Sequence, residues 1–334
     1  MGTVQHRRAP RFTAASTVGE VIRDPAFAGF GRLLFPVDRP VDGSMTLREL
    51  SSSRIYLWYS DIQPEKTVEI VNDLYERAGR GERIFYPIYS QEERQTAPDK
   101  ENTGLFFLRG RTGARFAILN AGGGFCYVAA LQDSFPQALE LSRRGINAFV
   151  LIYRPHAPWQ DLARAICFVE DHAQELGVHP LGYSLWGGSA GARMAAALGN
   201  AGNLRQLTGR RCIGWRKARG KGPAGRRLPQ TGGPSPAGAL PQTGALPQAG
   251  TVITQYTGYD AVSAEDAPTY ACVGTDDGIA RWHVMKRRLQ QLQRLRIPTE
   301  FHVYRGLHHG FGLGTETAAE GWIDDAVAFW KAQC

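Results

Sequence analysis

From residue 116 onward the chain alternates between short apolar runs and longer amphipathic ones. Phe116–Asn120 (FAILN), Ala148–Tyr153 (AFVLIY), Tyr183–Gly187 (YSLWG), Thr251–Tyr256 (TVITQY), Thr269–Val273 (TYACV) and Thr299–Tyr304 (TEFHVY) read as strands. Between and after them Phe135–Arg144, Asp161–Leu176, Ala190–Leu198, Ala280–Leu295 and Thr317–Lys331 read as helices. In the second of these, Leu162, Ala165, Ile166, Val169 and Ala173 share one face. Strands that are apolar at successive positions, and that alternate with helices, predict an α/β fold with a mostly parallel sheet and helices on both faces.

The first third of the chain is less regular. Val68, Val71, Leu74, Tyr75 and Ala78 fall at helical spacing within Glu65–Ala78, and Gly79 supplies a stop. Arg83–Tyr89 and Gly104–Arg109 read as strands, with the polar stretch Gln91–Asn102 between them as a loop. Residues 1–50 show no sustained periodicity and are expected to be an irregular arm wrapping the domain, or to be partly disordered, leaving 51–334 as the domain proper. Residues from about 200 to 250 also lack periodicity. They carry LPQTG at Leu228–Gly232 and Leu240–Gly244, and LPQAG at Leu246–Gly250. This low-complexity segment predicts an insertion or replacement that loops out over about 205–247, since long surface insertions add little closure entropy. A shifted reading frame through repetitive DNA would give the same composition. LPQTG resembles the sorting signal of wall-anchored proteins, but here it is internal and no hydrophobic stretch follows it.

Charge changes the picture only locally. The 334 residues carry a net charge of +8, which taken whole points to an anionic partner. Nine of the 39 basic residues lie between Arg205 and Arg227 without an acidic one, which leaves 30 basic against 31 acidic elsewhere. The run has a single aromatic residue, Trp215, so a nucleic-acid partner is not expected. The five cysteines, Cys126, Cys167, Cys212, Cys272 and Cys334, show no CxxC spacing; they are expected to be buried thiols, with neither a metal nor a cofactor. No signal core and no membrane-length apolar run is visible, which gives the expectation of a cytoplasmic protein.

The chemistry concentrates at Gly187-Gly188-Ser189-Ala190-Gly191, between an apolar strand and a strong helix former. Gly-x-Ser-x-Gly in that context is a nucleophile elbow, in which the small neighbours let strand and helix approach and expose Ser189. A serine needs a base, and the base an orienting carboxylate. Of the downstream histidines, His283 falls in a predicted helix and His302 in a predicted strand. His308 and His309 follow the last strand in a loop, where a base belongs; His309, in His-Gly-Phe, is preferred. The strand TYACV ends in Gly274-Thr275-Asp276-Asp277-Gly278, at the edge of the sheet where sites form. Asp277 is preferred as the acid, with Asp276 as the alternative or as a helix cap. Gly122-Gly123-Gly124 follow the strand FAILN, where backbone N–H groups can meet a developing oxyanion together with that of Ala190.

The set NAGGGF (Asn120–Phe125), YRP (Tyr153–Pro155), GGSAG, GTDDG and HHGF resembles the α/β-hydrolase superfamily. It is most similar to the carboxylesterase branch, the hormone-sensitive-lipase-like and acetyl-xylan- or feruloyl-esterase-like enzymes, over roughly residues 104–332. The resemblance implies a cofactor-free serine hydrolase acting on a small-molecule ester. Ser189 would be nucleophile, Asp277 acid, His309 base, and Gly123, Gly124 and Ala190 the oxyanion donors. The chain departs from such enzymes at Asn120-Ala121, where His-Gly or His-Pro is usual. An amide hydrolase with the same triad and a catalytically impaired binding protein on the same scaffold are the alternatives. Trp58, Phe125, Tyr127 and Trp159 are candidates to line a pocket or to pack the core.

Overall fold

The structure, a computed structural model, describes residues 10–60, 62–215 and 244–334. In chain order its strands are β1 (Phe85–Tyr86), β2 (Gly104–Leu108), β3 (Arg115–Asn120), β4 (Asn147–Ile152), β5 (His179–Gly188), β6 (Cys212–Ile213), β7 (Leu246–Pro247), β8 (Thr251–Gln255), β9 (Thr269–Gly274) and β10 (Thr299–Tyr304). Eight of them form one sheet in the order β1-β2-β4-β3-β5-β8-β9-β10. From β4 to β10 every neighbouring pair is parallel, and β2 and β1 extend the sheet antiparallel. Every residue of β2, β4, β8 and β9 is buried. Successive strand residues point to opposite faces, so burial without alternation means that both faces are covered.

The expected helices are present with shifted ends. They span Pro64–Gly79, Phe135–Arg143, Pro158–Asp171, Ser189–Leu198, Trp282–Arg294 and Trp322–Gln333. The helix expected over Asp161–Leu176 breaks at His172, and Ala173–Leu176 forms a separate short turn ended by Gly177 in the left-handed region. The run Arg83–Tyr89 contributes only Phe85–Tyr86 to the sheet.

Three segments differ more from the sequence reading. Gln91–Thr96, expected as loop, is a helix begun by a capping box between Ser90 and Glu93, and a 3₁₀ helix follows over Pro98–Asn102. It buries none of its residues, so it has no apolar period to betray it. Over its described part the arm holds short helices and packs into the core. Capping boxes at Thr17/Glu20 and Thr46/Glu49 start short helices Val18–Arg23 and Leu47–Ser51, and Phe12, Val21, Phe27, Leu34 and Leu50 are buried in the core. Only the two ends of the region expected to loop out, 205–215 and 244–247, are described: the helix Ala201–Thr208, capped by Asn200, runs into the first, and β6 and β7 pair the two ends in a parallel ladder. Gln248 of LPQAG is buried. Its amide donates to the carbonyls of Gly199 and Glu265, both at 2.6 Å, and its oxygen accepts the N–H of Trp215 at 3.0 Å. The basic residues from Arg216 to Arg227 and both LPQTG copies up to Thr243 lie outside the described residues.

Of the cysteines expected to be buried, Cys167 and Cys272 are; Cys212 is half-buried, and Cys126 and Cys334 are exposed. All five are free thiols. Among the described residues no helix is long and apolar enough to cross a membrane.

Candidate active site

The carboxyl ends of β3, β5, β9 and β10 lie on one edge of the sheet because these strands are parallel. Each delivers one part of the site in the loop that follows it. β5 runs directly into the helix Ser189–Leu198, so Ser189 occupies the turn itself. Its φ is 52°, a left-handed conformation that is costly for a residue with a side chain. The turn closes because its neighbours are glycines: a methyl group on Gly191 would stand 1.9 Å from the carbonyl oxygen of Asn120 at the end of β3.

His309 follows β10 and is buried. Its Nε2 lies 2.9 Å from Ser189 Oγ, and its Nδ1 lies 2.8 Å from Asp277 Oδ2. Asp277 follows β9 and is also buried. Its other oxygen accepts the N–H groups of Ile279 at 2.8 Å and Ala280 at 2.6 Å, which fixes the carboxylate plane. A carboxylate only accepts, so the proton on the ring sits on Nδ1, and Nε2 presents its lone pair to the serine hydroxyl. Ser189 itself is half-buried and reachable from solvent.

The paired alternatives are placed apart. Asp276 is exposed and accepts the hydroxyl of Thr275 at 2.7 Å. It caps no helix; the N–H groups near Ala280 go to Asp277 instead. His308 is exposed, with its Nδ1 3.1 Å from the carbonyl of Asp276. His283 lies in the helix Trp282–Arg294 and His302 in β10, as their sequence context predicts.

Gly122–Gly124 follow β3. Gly123 and Gly124 both have positive φ, 124° and 63°, a path that side-chain-bearing residues rarely take. Among the described residues nothing accepts the N–H of Gly123, Gly124 or Ala190. That of Ala190 is free because it lies in the first turn of its helix. The unusual Asn120 is fully buried, and its amide donates to the carbonyl of Trp186 at 2.9 Å, tying β3 to β5 just before the serine. The carbonyl of Ala121 accepts the hydroxyl of Tyr153 at 2.8 Å.

Of the candidate pocket aromatics, Tyr127 is core: it is buried and stacks on Trp58 with ring centroids 5.6 Å apart. Trp58, Phe125 and Trp159 are part-exposed beside the glycine loop. Trp58 lies against Gly124, and Phe125 meets Trp159 edge-on at 5.5 Å. No three His, Cys, Asp or Glu side chains among the described residues converge as metal ligands.

A fourth buried polar residue was not singled out in the sequence. Asp133 accepts hydrogen bonds from the N–H of Gly122 at 2.7 Å, the hydroxyl of Tyr59 at 3.0 Å and the hydroxyl of Tyr256 at 2.5 Å. Burial pushes its carboxyl up to about 6, outweighing these three bonds and the nearby His309, which act the other way. The Tyr256 ring packs on that of His309 at 4.9 Å. The signal in the sequence is faint: an acidic residue at the end of the apolar stretch VAALQD.

No family model and no curated protein matches the chain. Solved structures do. An acetyl ester-xyloside bifunctional hydrolase from Caldicellulosiruptor lactoaceticus is 19% identical, with a TM-score of 0.57 over 74% of this chain and 95% of that one. A propionate-bound thermophilic esterase from Thermogutta terrifontis is 18% identical, with a TM-score of 0.52 over 74% of this chain and 93% of that one. A sugar hydrolase from Lactococcus lactis is 16% identical, with a TM-score of 0.51 over 69% of this chain and 94% of that one.

Proposed function

From the α/β-hydrolase fold that the chain shares with these structures, we propose that it is a serine hydrolase of the carboxylesterase type, cleaving a small or medium acyl ester through an acyl-enzyme. The observation that carries this reading is the unbroken chain of hydrogen bonds from Ser189 Oγ through His309 to Asp277. Ser189 Oγ attacks the ester carbonyl carbon while His309 Nε2 takes the hydroxyl proton. The resulting imidazolium is held by Asp277. The carbonyl oxygen becomes an oxyanion, met by the N–H groups of Gly123, Gly124 and Ala190. Each such donor is worth about 10² to 10³ in rate. Collapse breaks the ester C–O bond, and His309 returns its proton to the departing alcohol. Water, deprotonated by His309, then attacks the acyl carbon; the bond to Ser189 Oγ breaks, His309 returns the proton to Oγ, and the acid leaves.

The similar structures support the substrate class: one is described as an acetyl ester hydrolase, one was solved with propionate, and the same Thermogutta esterase was solved phosphoramylated by tabun. The test is an acyl-chain series of p-nitrophenyl esters with wild type and Ser189→Ala, alongside labelling by a fluorophosphonate. An arylformamide and a dipeptide in the same panel measure the amide reaction. Turnover and labelling that both vanish in Ser189→Ala are expected. Folded wild-type protein that neither labels nor hydrolyses any ester would overturn the reading.

A further inference from the structure

Asp133 is 3% exposed, and the charged residue acting on it among the described residues is His309, with no Lys or Arg. An ionised carboxylate in such a place is costly, and an apolar side chain would fill the space without that cost. Its three donors come from three distant segments: Tyr59 from the N-terminal part of the chain, Gly122 from the loop after β3, and Tyr256 from the end of β8. Two glycines measure how near it lies to the reacting atoms. A methyl group on Gly188, the residue before Ser189, would stand 2.4 Å from both Asp133 oxygens. One on Gly122 would stand 2.8 Å from Asp133 Oδ2 and 3.0 Å from Ser189 Cβ. Tyr256 carries the carboxylate's hold onward, since its ring lies against His309.

We propose that Asp133 is the positioning residue of the oxyanion loop: by holding the N–H of Gly122 it sets Gly123 and Gly124 opposite Ser189, and through Tyr256 it braces the ring of His309. The proposal rests on the ester hydrolase reading above. Gly122 spends its own N–H on Asp133 and so is not a donor to substrate. That leaves Gly123 and Gly124 free to serve. The bond from Gly122 fixes where the glycine turn starts, and displacing it moves both remaining donors together. Catalysis is steep in such displacements, because the donors must sit about 3 Å from where charge develops rather than from the ground-state oxygen. Binding of the ester depends on them far less, so the effect belongs in kcat rather than KM.

The experiment compares wild type, Asp133→Asn, Asp133→Ala and Tyr256→Phe, with kcat expressed per active site counted by fluorophosphonate labelling, so that unfolded protein does not enter. In Asp133→Ala, kcat per site is expected to fall about 10- to 100-fold with KM within about threefold. Asp133→Asn keeps an acceptor for Gly122 and is expected to recover most of the loss. Tyr256→Phe, which leaves the Gly122 bond in place, is expected to lose about tenfold in kcat and to answer the question where Asp133→Ala does not fold. A kcat per site within about twofold of wild type in Asp133→Ala (or in Tyr256→Phe where that variant does not fold), or a loss confined to KM, would overturn the proposal. Wild type that labels and turns over while Asp133→Ala is unchanged sinks the positioning role alone. Wild type that does neither sinks the hydrolase reading beneath it.

Discussion

Replacing Asp277 with asparagine tests the orientation of the base with little change in shape. One carboxylate oxygen accepts two backbone N–H groups, from Ile279 and Ala280, and the other faces His309 Nδ1. Backbone N–H groups cannot become acceptors, so in Asp277→Asn the amide oxygen must take that side and the NH2 must face the ring. An NH2 there requires a lone pair on Nδ1, which moves the ring proton to Nε2, opposite the Ser189 hydroxyl. The serine then has no base. Flipping the amide restores the working tautomer but strands two N–H groups, at about 1–3 kcal/mol each. The working arrangement is therefore disfavoured by about 2–6 kcal/mol, which at about 1.36 kcal/mol per decade is a loss of about 30-fold to 3 × 10⁴-fold in kcat. The assay is p-nitrophenyl ester hydrolysis at neutral pH, with circular dichroism to show that the fold survives. Asp276→Asn, at an exposed position, serves as the control and should stay within about twofold. An Asp277→Asn variant that keeps more than about a tenth of wild-type kcat, or an Asp276→Asn variant that loses as much, would refute the assignment of the acid.

Two further outcomes follow from the same geometry. His309→Ala should lower kcat by about 10⁴ or more, since base and nucleophile act as one unit, whereas His308→Ala, at an exposed side chain, should stay near wild type; the same ester assay reads both. Asp133 links stability to pH. Its carboxyl is raised in the folded protein from the ordinary 3.8 to about 6, so the folded state holds the proton more tightly than the unfolded chain does. Its contribution is fully present below about pH 4 and is lost as pH rises through about 6, a swing of about 3 kcal/mol. Urea unfolding of wild type and Asp133→Asn between about pH 4.5 and 7.5 should show the variant gaining on wild type as pH rises; a gap that does not vary with pH would contradict this.

Most of the candidate site was legible because the glycine loop, Ser189 and Asp277 each sit just past a strand whose carboxyl end is buried, and such strands announce themselves as apolar runs; β10, before His309, is only part-buried and is read from its place in the alternation of strands and helices. β3, β5, β9 and β10 could thus be placed along with the residues that follow them. Position within the tandem pairs could not be derived from the runs alone: Asp277 and His309 turn inward while Asp276 and His308 face solvent, a matter of one residue's rotation in a loop. What stayed hidden had no period to read. The helix Gln91–Thr96 is polar on every face, though its capping box, Ser90 to Glu93, was present in the sequence. The boxes at Thr17 and Thr46 offered the same clue for the arm. LPQAG looks like its low-complexity neighbours, yet Gln248 is fixed by partners at 199, 215 and 265, which local composition does not reveal. Asp133 is the extreme case, since its meaning lies in residues 59, 122 and 256 taken together.

That convergence also bears on how the molecule comes into being. Tyr59 lies far toward the amino terminus, Ser189 near the middle, and His309 beyond the last strand to join the sheet. A chain growing on the ribosome lays down its early parts first. The elbow and its glycines are made well before the histidine that would activate the serine, 120 residues further on. Until β10 has emerged and added to the edge of β9, the nascent protein holds Ser189 without the imidazole that lies against it, and under the proposed reading it has no base. Under that reading its first turnover would mark the completion of the sheet.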